Sequence, residues 1–373
     1  MTDSADVVII GAGIQGLSAA YHTARAGIKN IRVIEKEFIG AGSSGRSASM
    51  LLLQEDTEDK IRLSQFSYKR YEAFREELGT DPGFKKIGYL SIVPDKMRTE
   101  ALDRAQLRQR MGVDTNILSP QEISRLDPIV NVKDIARGFF GPDDGVIDAN
   151  AIMQGYAAGA RRLGVSIEQG RAATGIRKAG DSVAGVETNM GFIETALVVN
   201  AAGADAIDVA GWVGITLPID NRRRSIYITD EFPGIPSDTP MVMDAQWEWY
   251  YRKEGPGVLM GMGKEPSRQA SLSANWDFLP QVVEFAMHRV PILSEARIIR
   301  GWTGIRPLTP DLNPLIGPVD GVRGYINDCG WGGEGVMHAP AGGQMVADCI
   351  AGTQHPVLDP APFRLDRFAQ PSA

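Results

Sequence analysis

The stretch from Asp6 to Glu35 limits the fold of this chain more than any other part of it. Val7, Val8, Ile9 and Ile10 form a short apolar run of the kind a buried parallel strand needs, and Gly11, Gly13 and Gly16 follow with G-x-G-x-x-G spacing. A helix is expected from about Leu17 to Arg25, closing at Gly27, and then a second strand over Ile31, Arg32, Val33 and Ile34 that ends in Glu35. Gly11 allows a tight turn, Gly13 lets the backbone touch a pyrophosphate, and Gly16 lets the helix lie against the strand. The amides that follow, at Ile14 and Gln15, and the positive end of the helix dipole would face the phosphates. Glu35, with Lys36 beside it, is placed to meet a ribose, so an unphosphorylated 2′-hydroxyl is expected. A glycine-rich turn without a ligand is the plain alternative. Strand, glycines, helix, strand and acid nevertheless occur in the order a dinucleotide site requires.

A chain of 373 residues can bury a large core and is expected to divide into two domains, since single cores stop growing at about 250–300 residues. The net charge of −7 gives no footprint for nucleic acid. No apolar run approaches the roughly 20 residues of a membrane span, and no basic segment leads into an apolar one near the start, so the cytoplasm is the expected location. Cys329 and Cys349 are the only cysteines, too few for a disulfide framework or a cysteine metal site, and both are expected to stay reduced. No metal is expected.

The segment Gly40-Ala41-Gly42-Ser43-Ser44-Gly45-Arg46-Ser47-Ala48-Ser49 is either a flexible loop or a second place where backbone and side-chain donors, from Ser43, Ser44, Arg46 and Ser47, approach an anionic cofactor. With the first motif beside it, the second reading is preferred. GAGIQGLSAAYHTARAG, the acid in VIEKE, and GAGSSGRSAS together resemble the flavoenzymes related to D-amino-acid oxidase, glycine oxidase and sarcosine oxidase. The resemblance implies FAD, with its isoalloxazine ring near the small-residue loop. It also implies an α/β fold in which a Rossmann-like FAD-binding domain of the glutathione-reductase type carries a second, α+β substrate domain on a mainly antiparallel sheet. The expected division is 1–80, 138–216 and 301–373 for FAD, and 81–137 with 217–300 for substrate.

Between the motifs, the pattern predicts helices over Asp59–Leu78 and Ala149–Leu163, a strand over Lys86–Val93, a charged helix through Arg110, and a capped helix start at Ser119–Glu122. The resemblance places the Ala173 backbone against the adenine. Ala201-Ala202-Gly203 ends a buried strand, either for tight packing or as a second backbone approach to the dinucleotide; Asp205 stands where relatives often carry an aromatic residue. From Leu217 to Arg300 the chain turns to aromatic-rich strands. Arg222, Arg223 and Arg224 crowd one of them, and alternation sends Arg222 and Arg224 to one face and Arg223 to the other. The resemblance to relatives acting on D-amino acids implies that Arg224 and Tyr251 meet a substrate carboxylate. His288, on a helix over Asn275–Val290, reads as structural.

The closing segment Gly301–Asp311 resembles the family's G-x-R-P-x-T-P-D motif, in which the arginine holds the substrate carboxylate before the flavin; that role falls on Arg306, with Gly304 beside it. Gly332, Gly333, Glu334, Gly335 and Val336 open the last helix, whose positive end would favour negative charge on a reduced flavin. Many relatives carry His at Glu334, so Glu334 either points away or alters the flavin; His338 reads as packing or capping. The resemblance implies oxidation of the C–N bond of a small amino acid or N-substituted amino acid by hydride transfer to flavin N5, giving an imine that water hydrolyses. Gly304 and Arg46 occupy positions at which some relatives attach the flavin covalently, so non-covalent FAD is expected. Oxidation of a 2-hydroxy acid, or service as a partner-dependent subunit of a heteromeric enzyme, are the alternatives; a homo-oligomer is also open. Met50 stands where a D-arginine-oxidising relative has His, so that substrate does not transfer.

Overall fold

In the computed structural model, which describes residues 3–263, 265 and 272–369, the strand Val7–Ile10 lies inside a nine-stranded sheet. It pairs in parallel with Ile31–Glu35 on one side and Val198–Asn200 on the other, which is why it had to be apolar on both faces. The helix Ile14–Arg25 follows, three residues earlier than the apolar pattern suggests, because Gly13 is already its N-cap. This helix packs with Ala149–Arg162 and the last helix, Ala339–Ala351, over one sheet face, in a core that includes Ile9, Leu17, Ile152 and Met345. Val8, Ile10, Val186 and Val209 form the core on the other face. The helix expected over Asp59–Leu78 is two, Glu58–Glu72 and Phe74–Leu78, joined at Ala73. The capping signal at Ser119 is a capping box with Glu122.

A second sheet of eight strands runs in the order Ile298–Leu308, Asp220–Thr229, Gly257–Met262, Trp249–Glu254, Met241–Asp244, Tyr89–Val93, Arg137–Gly141, Asn116–Leu118. Its pairs are antiparallel except Met241–Asp244 with Tyr89–Val93. Two expected domain boundaries therefore move. Residues 138–141 pair with Tyr89–Val93, and 301–308 pair along Asp220–Thr229, so both pieces belong to this sheet and not to the dinucleotide domain. Backbone hydrogen bonding decides which sheet a strand joins, and composition does not report it.

The eight-stranded sheet has two unlike faces. One, with Tyr227, Val242, Trp249, Tyr251 and Met260, is sealed under the helix Leu279–Arg289. The other, with Tyr89, Ile226, Met241, Tyr250 and Leu259, packs on Ala48 of the small-residue loop and on Met50 and Leu52 just after it. That second face looks toward the dinucleotide domain.

Candidate functional site

The first glycine turn is built too tightly for side chains. A Cβ on Gly11 would lie 2.5 Å from the Ala201 carbonyl oxygen, and one on Gly16 would lie 2.1 Å from that of Gly11. Gly11 also has a φ of +108°, which favours glycine. The Ala201 amide donates to the Ile10 carbonyl at 3.0 Å, so Ala201, Ala202 and Gly203 sit beside the turn. No side chain caps the helix at Gly13 and its first turn holds no acid. The Ile14 amide donates to Ser44 Oγ at 3.1 Å, which brings the second small-residue loop onto the helix start. Glu35 accepts from the Ala12 amide at 2.9 Å and from the Glu37 amide at 2.9 Å, fixing its carboxylate at the tip of the second strand. A cradle of bare backbone at a helix N-terminus, with an oriented acid beside it, fits the pyrophosphate and ribose of a dinucleotide.

Several expected contacts take different forms. Lys36 Nζ, just past the second strand, donates to Asp205 at 2.5 Å in an exposed ion pair. Arg46 Nη1 donates to the Gly42 carbonyl at 2.8 Å and also to that of Ala41, which braces its own loop. Ser43 Oγ donates to the Ile305 carbonyl at 2.5 Å and accepts from its amide at 3.2 Å, stitching the loop to the substrate sheet. Ser47 Oγ accepts from the Ser49 amide at 2.9 Å. Gly304 faces Arg46, where its Cβ would lie 3.7 Å from that of Arg46. Ala173 begins an edge strand, Ala173–Ala179, paired with Thr188.

Arg306 and Arg224 do converge. Arg222 is opposite Arg306 and Arg224 opposite Gly304, so the arginines lie on one face as diagonal neighbours. Arg222 is held by Asp220 at 2.6 Å, and Arg223, on the far face, lies 3.7 Å from buried Glu265. Among the described residues, the Arg306 side chain makes no ion pair or hydrogen bond, and that of Arg224 donates only to the Arg223 carbonyl, at 2.8 Å, leaving its Nε buried and unpartnered. Burial, and then the charge of Arg306, push the Arg224 pKa down to about 10. Both guanidiniums are partly buried and neither makes an ion pair among the described residues, an arrangement suited to an anion. The Arg306 guanidinium lies against Gly333, where a Cβ would be 2.8 Å from its Cζ. Arg222 and Arg224, with Glu248, Glu265 and Thr309, line a cavity of about 720 Å³ on the same side.

The tyrosine expected there is a different one. Tyr251 is fully buried on the far face and donates to Asp127 Oδ2 at 2.6 Å, out of reach of the arginines. Alternation puts Tyr250 on the arginine face, opposite Gly261, where a Cβ would lie 2.5 Å from its hydroxyl oxygen. Burial raises the Tyr250 pKa against the pull of Arg306, Arg252 and Arg224, so its proton stays on. Trp302 completes the wall and donates from Nε1 to the Arg46 carbonyl at 3.1 Å. No short motif marks Tyr250 or Trp302; only the register of the sheet does.

The turn at Gly332–Val336 is tied to both ends of this path. Gln15 Nε2 donates to the Gly335 carbonyl at 2.8 Å, and Tyr71 donates to that of Val336. Glu334 turns away from Arg306 and pairs with Lys60 at 2.9 Å. His338, fully buried, shares a hydrogen bond of 2.8 Å with Ser64, and burial lowers its pKa to about 3. His288 is half-exposed near Asp134, remote from the arginines.

A family model described as FAD dependent oxidoreductase matches residues 6–349. Rat mitochondrial dimethylglycine dehydrogenase is 30% identical over 96% of this chain, which spans 45% of that protein's length. Sarcosine oxidase subunit beta of Rhodobacter capsulatus is 27% identical over 98% of this chain and 89% of its own. The crystal structure of L-proline dehydrogenase from P. horikoshii superposes with a TM-score of 0.89 at 30% identity, covering 97% of this chain and 98% of that one. Glycine oxidase from Geobacillus kaustophilus shares the fold, with a TM-score of 0.88 at 23% identity over 99% of this chain and 100% of its own.

Proposed function

The chain belongs to the FAD-dependent oxidoreductase family known as DAO, and from that membership we propose that it oxidises the C–N bond of a small amino acid or N-substituted amino acid. The observation that carries this reading is the pair of unpaired guanidiniums, Arg306 and Arg224, beside Tyr250 at the ring end of the dinucleotide path. Bound FAD supplies the hydride acceptor.

Arg306 presents its fork to the substrate carboxylate, and Arg224 and the Tyr250 hydroxyl add donors from the same face. Gly333 leaves room for that fork because it has no side chain. The apolar wall of Ile226, Met241, Leu259 and Trp302 keeps water from the α-carbon and holds it in one orientation. Two neighbouring cations disfavour a substrate ammonium, so the amine binds neutral and its lone pair assists the departure of the α-hydrogen. Tyr250 is a donor in this scheme and not a base, since burial keeps it protonated. The imine product then leaves for hydrolysis in water.

Anaerobic loss of flavin absorbance, tested with D-, L- and N-methyl amino acids against 2-hydroxy acids, checks the reading. Bleaching by amino substrates is expected; bleaching by hydroxy acids alone would replace it with the alcohol-oxidising alternative. We further propose that the FAD is dissociable, since Gly304 and Arg46 offer no nucleophile; yellow colour retained in an acid-precipitated pellet would refute this. Similarity to a protein named as a beta subunit supports a second reading, in which the chain acts within a heteromeric complex. Activity that appears only with a co-purifying protein would favour it.

A further inference from the structure

Behind the Gly332–Val336 turn lies a cluster of charged groups that no motif announced. Lys60, on the helix Glu58–Glu72, keeps only 9% of its side chain exposed and reaches both carboxylate oxygens of Glu334, at 3.0 and 2.9 Å. Glu55 is also buried, and its carboxylate lies 3.6 Å from His338 Nε2. Oxygen and nitrogen atoms of Glu55, Glu334 and His338 come within 4.8 Å of one another, spacing that would suit a cation. The Lys60 ammonium already supplies one. Burial would lower the Lys60 pKa, but Glu334 and then Glu55 overcome it and hold the amine charged. Burial, and then Glu334, raise the Glu55 pKa well above the usual carboxylate range. Arg108, near by, is held by the Glu55 backbone carbonyl at 2.7 Å and by Asp56 at 2.6 Å.

The turn in front of this cluster connects the two ends of the FAD path. Gln15, at the start of the phosphate-facing helix, holds Gly335, and Arg306 lies on Gly333. A flavin ring spanning from one to the other would pass the turn, so an uncompensated carboxylate at Glu334, with 31% of its side chain exposed, would act on the ring through a partly buried setting. We propose that Lys60 is a positioning residue for the flavin site: by neutralising Glu334 it permits an acid in this turn and keeps the reduced, negatively charged ring favourable. This rests on FAD binding and on no choice of substrate.

The test is the midpoint potential of the bound flavin, read by anaerobic dye equilibration in holoenzymes of Lys60→Met, Lys60→Arg and Glu334→Gln, without substrate. Lys60→Met should lower the potential, Glu334→Gln should raise it, and Lys60→Arg should leave it near that of the parent. A structural prop would move both neutral variants the same way or neither, and either result overturns the proposal. Should Lys60→Met fail to retain flavin, the sign for Glu334→Gln decides: a rise supports the charge role, and no rise ends it.

Discussion

Tyr250 and Tyr251 are adjacent in sequence and opposite in fate, so removing one hydroxyl at a time gives two different phenotypes. The Tyr251 hydroxyl is the side-chain partner of Asp127, at 2.6 Å, and Asp127 is 3% exposed. Burial already raises the Asp127 pKa, and the Tyr251 hydrogen bond opposes that rise. Tyr251→Phe leaves a buried carboxylate short of a donor, a loss of about 1.5–3 kcal/mol for a hydrogen bond to a charged group. For a chain of this size a loss of about 2 kcal/mol lowers Tm by roughly 3 °C. The fall should shrink below the raised Asp127 pKa, where the carboxyl is protonated in both forms. Tyr250→Phe removes a donor from the arginine pocket, with Tm unchanged and carboxylate binding weaker by about 1–2 kcal/mol, or roughly 5- to 30-fold in Kd. Calorimetry gives Tm, and titration of the flavin spectrum with a non-oxidisable carboxylate gives Kd. If Tyr251→Phe weakened the carboxylate and Tyr250→Phe did not, the assignment of sheet faces would be wrong.

Arg306→Lys keeps the charge but loses the fork; with two charge-assisted bonds reduced to one, kcat/KM for flavin reduction should fall by about 10- to 100-fold, and an unchanged value in stopped-flow assays would remove the clamp. Gly16→Ala places a methyl group 2.1 Å from the Gly11 carbonyl oxygen and should yield colourless protein; FAD affinity within about tenfold of the parent would contradict the cradle. Asp144, with no exposed surface, has its pKa raised to about 7 by burial, chiefly against the Leu53 amide bond. The unfolded chain therefore gives up this proton first, and stability falls as pH rises from an ordinary aspartate's 3.8 to about 7, by up to about 4 kcal/mol. Asp144→Asn should flatten that part of the urea-midpoint profile; a slope equal to the parent's between pH 4 and 7 would assign the dependence to other groups.

How much of this was legible depends on whether a feature is local. The glycine turn could be read because its requirements, a strand, bare backbone and an open helix start, sit within thirty residues of one another. Arg306 was legible through a linear motif, and Arg222, Arg223 and Arg224 sorted onto faces by simple alternation. Tyr251 was carried over from the resemblance, and alternation alone could not say which face of the aromatic strand looks at those arginines: it takes the pairing of Tyr250 with Gly261, and of Gly261 with Ile226, to carry the orientation across three strands. The same dependence moved 138–141 and 301–308 into the substrate sheet. Lys60 and Glu334 are 274 residues apart, and nothing near either one in the chain announces the other.

The amino-acid sequence thus determined the glycine turn between the first strand and the first helix and the mixed α/β character of the fold, because each follows from neighbours along the backbone. Tertiary structure alone decided which tyrosine shares the arginine pocket and what charge lies behind the last glycine turn. Register and burial bring those groups together across gaps that local patterning does not span.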